Sequence, residues 1–415
     1  MHGAVRRLGV YSDGPFRVVA TKDGPRLAPD PADYPFLTFV CEVGGAFESL
    51  ALFARTVQAE RPGGQVPLLL PARVAFVRLP FYESIFDAGA LMRAVPGTIR
   101  GFWRGLAQVD AVWVLGPHPF AFLLIPLALV RGKQIVLGVR QDSMAYYRSR
   151  LRSANWKPVL GLAKALDAGF RLLARRFPTT VVGSDLARQY ADGQAPVLTV
   201  TVTLIRAADV VEWPRERDWT GEISLFTVGR IDREKNPLLL VETMARLERE
   251  RPGRFRLAWA GTGPFEEIVR RRARELGVDD RIELLGFVPF GPALLERYRS
   301  AHAFVHVSLT EGVPATLVEA LGSGTPIVAT AVGGVPSILE GGRAGLLVPP
   351  EDLEALVAAI LRLSDDADLC DRLARHGLRV ARERTLEANA GRVARFIVEG
   401  TADEPDWRNR TTSVD

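Results

Sequence analysis

Apolar residues fall along this chain in short β-rich runs, each followed by a longer stretch with helical spacing. In the N-terminal half, Phe36 to Cys41 reads as a strand, followed by Gly44-Gly45 and a helical run from Phe47 to Ala59. Ala111 to Leu115, Ile135 to Val139 and Thr180 to Val182 are further strands, each leading into a helix-like segment. Strands alternating with helices predict a parallel sheet with helices on both faces. The first 34 residues, with Asp13-Gly14, Asp23-Gly24-Pro25 and a Pro-rich run, read as an irregular or hairpin extension.

A polar, turn-rich break at Trp213 to Gly221 predicts a linker, after which the alternation restarts. Ile223 to Val228 and Phe255 to Ala260 are strands, and Asn236-Pro237 opens a helix with Pro in its first turn. A helix from Pro264 to Leu276 follows, then strands at Ile282 to Leu285, Ala303 to Val307, Ile327 to Ala329 and Gly345 to Val348. The expected chain is α/β, with an N-terminal Rossmann-like unit at 1–212, a linker at 213–221 and a second unit at 222–385. A helix at 386–400 is expected to pack back on the N-terminal unit, ahead of a tail at 401–415. Ligands of such doubly wound sheets bind at the carboxyl ends of the strands, here facing a cleft between the units.

Composition agrees with this picture. At 415 residues the chain exceeds the roughly 250–300 at which a single core stops growing. Its 47% apolar and 24% charged residues are those of a folded enzyme. Two cysteines, Cys41 and Cys370, exclude a disulfide framework and fit a reducing cytoplasmic compartment. Residues 1–7 do not open a signal peptide. Ala111 to Val130 is long and uncharged enough for a membrane span, but Gly116, Pro117, Pro119 and Pro126 favour a strand, a loop and a buried helix.

The formal charge of +5 is concentrated. Between Arg148 and Arg176 eight cations face the single acid Asp167, interleaved with Leu151, Trp156, Leu162, Phe170 and other apolar residues. That pattern suits either an anionic membrane surface or a solvated helix face.

Four loops of the second unit follow predicted strands. In Val228-Gly229-Arg230-Ile231-Asp232-Arg233-Glu234-Lys235, two cations beside a helix start suit a diphosphate, or else pair with Asp232 and Glu234. Gly261 and Gly263 form a glycine-rich turn, and Phe287-Val288 could lie against a base. The most informative loop is Glu311-Gly312-Val313-Pro314-Ala315-Thr316-Leu317-Val318-Glu319. A helix from about Ala315 to Leu321 would offer amides to phosphate, with one carboxylate before it and another two turns inside.

This ordered set of motifs resembles the retaining family 4 (group 1) glycosyltransferases of the GT-B fold. The resemblance rests on Glu311 and Glu319 at the signature spacing, on Gly229, Arg230 and Lys235, on Ala260 to Pro264, on Gly324 to Thr330 and on Gly333 to Ser337. It implies two Rossmann-like domains and transfer of a sugar from a nucleotide-diphosphate donor without a metal or other cofactor. Arg230, Lys235 and Glu311 would be catalytic. Gly45, Gly229, Gly261, Gly263, Phe287, Val288, Val313, Pro314, Ala315, Thr316, Leu317 and Glu319 would bind the donor. No Asp-x-Asp metal site stands out, Asp366-Ala367-Asp368 lying in a helical stretch.

The N-terminal half departs from the family. A histidine often follows the strand corresponding to Ile135–Val139, where this chain has Arg140-Gln141-Asp142. His118, Arg140 and Asp142 are the acceptor-side candidates. The expected partners are a donor, a glycan or lipid-linked acceptor of the cell envelope and peripherally an anionic membrane, but not nucleic acid. Two alternatives remain: a non-catalytic nucleotide-sugar-binding subunit, and a GT-B nucleotide-sugar 2-epimerase. A Rossmann dehydrogenase is disfavoured, because Gly-x-Gly-x-x-Gly followed by an acid about 20 residues on is missing.

Overall fold

The computed structural model describes residues 5–21, 24–28, 34–59, 71, 73–85, 87–140 and 157–401. The chain forms two compact units, one of residues 1–202 with 389–415 and the other of residues 203–388.

The first unit holds β1 (Arg7–Thr21), β2 (Gly24–Ala28), β3 (Ser49–Ala59), β4 (Val74–Leu79), β5 (Ala111–Gly116), β6 (Gln134–Val139), β7 (Thr179–Val182) and β8 (Val197–Val200). They form one sheet in the order β4-β3-β1-β5-β6-β7-β8, with β2 antiparallel on the far part of β1 and every other pairing parallel. The order reverses direction between β1 and β5, which makes their carboxyl ends the switch point of this sheet.

Two expectations for this unit fail and a third holds only in part. Phe36 to Cys41 lies in a helix, Tyr34–Gly44, and Phe47 to Ala59 falls on β3. The helix buries Phe36, Leu37, Val40 and Val43, a face with 3.6-residue spacing rich in Phe and Val, which favour strands. β3 is buried on both faces from Leu50 to Arg55, so it shows no alternation. The first 34 residues do hold a hairpin, β1 with β2, but they are no appendage, because β1 lies inside the sheet with Leu8 and Val10 buried. Its Asp13-Gly14 is an irregularity in the β1–β3 register between Tyr11 and Pro15. Gly45 consequently follows a helix and precedes β3, at the opposite end of the strands from the ligand edge; its N–H bonds Glu42 O at 2.9 Å. That placement sets it apart from the strand ends where ligands of such sheets bind.

Ala111 to Val130 resolves into β5 and the helix Ala121–Val130. Among the described residues no helix is long and apolar enough to cross a membrane.

The second unit holds β9 (Ile223–Val228), β10 (Phe255–Ala260), β11 (Ile282–Gly286), β12 (Ala303–His306), β13 (Ile327–Thr330) and β14 (Leu346–Val348). All run parallel in the order β11-β10-β9-β12-β13-β14, the doubly wound order with its switch point between β9 and β12. Leu225, Trp259 and Val305 face one layer of its core, and Phe226, Tyr298 and Phe304 the other. Each such side chain contributes about 1.5–3 kcal/mol by leaving water.

The linker expected at 213–221 belongs to this second unit, and the division falls between Val202 and Thr203. Val211 N donates to Gly322 O at 2.9 Å. Arg217 donates to Ala301 O at 2.7 Å and Gly324 O at 3.1 Å, and Arg254 to the carbonyls of Trp219, Thr220 and Gly221. Arginines clamp this polar segment; its turn residues mark a surface crossing rather than a free joint. The last helix, Leu386–Glu399, passes from the second unit into the first. There Asn389 accepts from Thr201 N at 3.3 Å, and Gln134 donates to Ile397 O at 2.5 Å.

Candidate functional site

In the second unit three loops meet at the carboxyl edge of β9, β10 and β12. Gly229 N bonds Ala260 O at 3.0 Å, Ile231 N bonds Thr262 O at 3.0 Å, and Gly261 N bonds Gly286 O at 2.8 Å. A Cβ on Gly261 would overlap the Gly229 carbonyl oxygen, so the β9 and β10 loops touch backbone to backbone. Gly263 is held as closely against Ile231 O. These glycines bring the loops together, whatever else they touch.

The β9 loop then aims Lys235. Asp232 caps the short 3-10 turn Arg233–Lys235 by accepting from Lys235 N at 3.2 Å, and Asn236 takes a left-handed φ of 47° before Pro237 starts the next helix. Lys235 Nζ donates to the Glu311 carboxylate, on the loop after β12. Ser308 Oγ donates to the same oxygen at 2.6 Å, and His306 Nε2 lies 3.0 Å from it. Leu309 N bonds Glu234 O at 2.8 Å and Gly334 N bonds Gly312 O at 2.9 Å, fixing the Glu311 loop from both sides. A Cβ at Gly333 would overlap Glu311 O. Burial pushes the Glu311 carboxyl up, but His306 and Lys235 more than offset this and hold it at about 2.

Arg230 is placed differently. Its guanidinium is exposed and pairs with Asp232 at 3.1 Å and Glu234 at 3.4 Å, on its own loop. The helix Ala315–Gly322 follows Pro314, and no side chain caps it. Pro314 has no N–H, and Leu317 N already bonds Pro314 O at 3.2 Å. The amides open to an anion are therefore a narrower set than the whole run Val313 to Leu317: Val313, Ala315 and Thr316. Inside this helix Glu319 is buried, and Tyr298 OH donates to its Oε2 at 2.9 Å. Burial raises the Glu319 carboxyl to about 7, against the opposing pull of that hydrogen bond. Phe287 is exposed beyond β11, and Val288 packs against the core near it.

His306 and Ser308 escaped the sequence reading. The available signal is one polar residue inside the apolar run Ala303 to Val307, five positions before Glu311.

The first unit has its own polar cluster at its switch point. Asp13, at the irregularity of β1, accepts from Arg55 Nη2 at 3.1 Å and from Tyr82 OH at 2.5 Å, and lies 2.9 Å from His118 Nε2. Phe120 N donates to His118 Nδ1 at 3.2 Å, and Tyr11 OH lies 2.9 Å from the same nitrogen. With Nδ1 accepting, the ring proton sits on Nε2 and points to Asp13. Burial pushes the Tyr11 and Tyr82 phenols up, and the charge of Asp13 adds to it. His118 therefore sits buried with both nitrogens engaged, while Asp13 keeps partial exposure.

Asp13→Ala is expected to destabilise the chain by about 2 kcal/mol in urea unfolding, because it strands buried Arg55 and His118. A loss below about 0.5 kcal/mol would show that water replaces the carboxylate. Arg140, after β6, places its guanidinium 4.0 Å over the Phe36 ring. Asp142 lies outside the described residues.

Comparison with solved structures defines the fold. Sucrose-phosphate synthase from Thermosynechococcus elongatus superposes with a TM-score of 0.65 at 18% identity, covering 94% of this chain and 98% of that one. The Anabaena protein HepE, solved with UDP and glucose, gives 0.64 at 14% identity over 95% and 100%. The fold is GT-B, two Rossmann-like domains in one chain.

In the sequence comparison, residues 222–366, within the second unit, match the model described as glycosyl transferases group 1. The amylovoran biosynthesis glycosyltransferase AmsK of Erwinia amylovora is 30% identical over 155 residues, 35% of this chain and 37% of its own. The chain spans less than half the length of the curated relatives it matches.

Proposed function

We propose that this chain is a retaining glycosyltransferase that moves a sugar from a nucleotide-diphosphate donor, without a metal, to a polysaccharide or lipid-linked acceptor of the cell envelope. The observation that carries the reading is the meeting of Lys235 and Glu311 at the β9/β12 switch point, next to an uncapped helix start. A fixed cation and free amides stabilise charge developing on a departing diphosphate, and need no reorganisation to do so. Glu311, ionised and held through one oxygen, keeps its other oxygen for a hydroxyl of the transferred sugar. Glu319 receives the ribose diol, and Phe287 with Val288 flanks the base.

The UDP and glucose bound by HepE support the donor class, and the part of AmsK in amylovoran biosynthesis supports the acceptor class. The free thiols of Cys41 and Cys370 accord with a cytoplasmic site of action. Arg140 and the Asp13–His118 cluster stand on the acceptor side, with His118 as an anchor of its loop rather than a free base.

A thermal-shift screen against uridine, guanosine and adenosine diphosphates tests the donor site. One of the three, at about 100 times its Kd, is expected to stabilise the chain by about 2.7 kcal/mol. No shift with any of them removes the reading. Hydrolysis of the corresponding donor sugar, unchanged by a chelator, is the expected second result. Tight diphosphate binding without turnover would instead favour a nucleotide-sugar-binding partner subunit.

A further inference from the structure

The helix Ala88–Leu106 of the first unit has two faces of opposite use. Ala94, Thr98, Phe102, Gly105 and Leu106 are buried against the sheet. On the outer side Met92, Pro96, Ile99 and Trp103 are exposed, Met92 at 69% and Trp103 at 42%. At 100° per residue those four lie within an arc of about 60°, and Arg93, Arg100 and Arg104 form a row along its flank. The end of the neighbouring helix Ala121–Val130 extends the stripe: Leu129 and Val130 are exposed, and Arg131 places its guanidinium 3.9 Å over the Trp103 ring. Lys133 follows.

Single exposed apolar residues are ordinary on a protein surface, but a contiguous stripe with an indole is not. Its charge has one sign. Asp87, which caps the helix, is the only acid from 87 to 109, and none occurs from 111 to 141. The next described helix of this unit, Lys157–Ala174, continues the same layer through Phe170 on Phe122, with Leu162 and Leu172 exposed. It carries part of the basic, apolar-interleaved segment 148–176, of which residues 148–156 lie outside those described.

We propose that the outer face of Ala88–Leu106, with the segment Leu129–Lys133, is a docking surface for an anionic lipid bilayer. Trp103, Ile99 and Met92 enter the headgroup boundary, and Arg93, Arg100, Arg104, Arg131 and Lys133 meet lipid phosphates. The chemistry matches element by element: an indole suits the interface, guanidinium groups keep their stems in apolar surroundings, and a row of cations without acids draws on a negative surface potential. An acidic protein groove would take the charges but has no need of an aliphatic and indole stripe of this length. The surface lies on a face of the first unit's sheet, away from the strand ends where ligands of such sheets bind. This deepens the membrane-acceptor part of the proposed function, and its test requires no turnover.

The full chain is floated with extruded phosphatidylcholine vesicles, with and without about 30% phosphatidylglycerol, at low and high salt. The expected result is binding to the anionic vesicles only, weakening as salt rises. Substituting Arg93, Arg100 and Arg104 together by Gln should weaken partition about 100-fold. Met92→Ser with Ile99→Ser and Trp103→Ser should weaken it at least about 10-fold. These side chains are exposed, so the nucleoside diphosphate thermal shift serves as a control for intact folding. Retained binding in both variants, equal binding to neutral vesicles, or no binding by the wild type overturns the proposal. So does a dimer, seen by sedimentation, that the triple serine variant dissociates, since a second copy would then cover the stripe. Failure here with the diphosphate shift intact leaves the transferase reading standing, and loss of the shift with flotation intact does the reverse.

Discussion

Lys235→Ala is expected to lower donor turnover about 100- to 1,000-fold, the cost typical of removing one preorganised group from a site of developing charge. The size follows from what Lys235 touches. Its ammonium is fixed by a capped turn, a left-handed Asn236 and the start of a helix, and it reaches the loop after β12 to meet Glu311. Removing it would deprive a bound diphosphate of a half-buried cation and Glu311 of one of the two groups that hold its carboxyl at about 2. His306 remains and keeps Glu311 ionised near neutral pH, so the loss should appear in kcat more than in the pH profile. Arg230→Ala makes the comparison, because its exposed guanidinium is shared between Asp232 and Glu234, and a surface pair of that kind contributes about 0–1 kcal/mol. Steady-state hydrolysis of the donor identified by the diphosphate screen measures both variants. A Lys235→Ala enzyme within about threefold of wild type would remove the role given to this lysine.

The second unit could be read from the sequence because glycine and proline punctuate it. Ile223–Val228 and Phe255–Ala260 are bounded by turn residues, and the loops after them carry Gly229, Lys235, Gly261 and Gly263. In the first unit a helix built of Tyr34, Phe36, Phe39 and Val40 and a strand buried on both faces exchange their usual appearance. Periodicity cannot separate two short apolar runs of that kind. The polar clusters were hidden for another reason. Tyr11 and His118 are 107 positions apart, and Lys235 and Glu311 are 76 apart. Family motifs named Lys235 and Glu311 without showing that they touch. Nothing local marks Asp13, Arg55 and Tyr82 as neighbours of His118, since parallel strands meet only through long crossovers.

Glu319→Gln is expected to act in opposite directions on stability and on donor binding. Burial raises the folded-state carboxyl from 4.5 to about 7, so the native chain favours the protonated form more than the unfolded chain does. Below about pH 4.5 both states are protonated and the residue carries no penalty. Between about 4.5 and 7 the unfolded state ionises first, and stability falls by up to about 3 kcal/mol before levelling off above 7. Glutamine does not titrate and can still accept from Tyr298 OH. The variant should therefore be more stable than wild type at pH 8 by as much as about 3 kcal/mol, with the difference closing toward pH 4.5. Binding should move the other way. Ribose hydroxyls donating to Glu319 favour its ionised form, so wild-type affinity for the nucleoside diphosphate should tighten as pH rises from 6 to 8, and binding should release protons. Glutamine loses a charge-assisted acceptor and should bind about 10-fold more weakly at pH 8, without the share of the pH dependence that Glu319 contributes. Urea unfolding and isothermal titration at pH 5, 6, 7 and 8 separate the two effects. Equal pH profiles for the two proteins would detach Glu319 from the donor. A variant less stable than wild type at pH 8 would show that its carboxylate is solvated or paired there, contrary to its burial behind Tyr298.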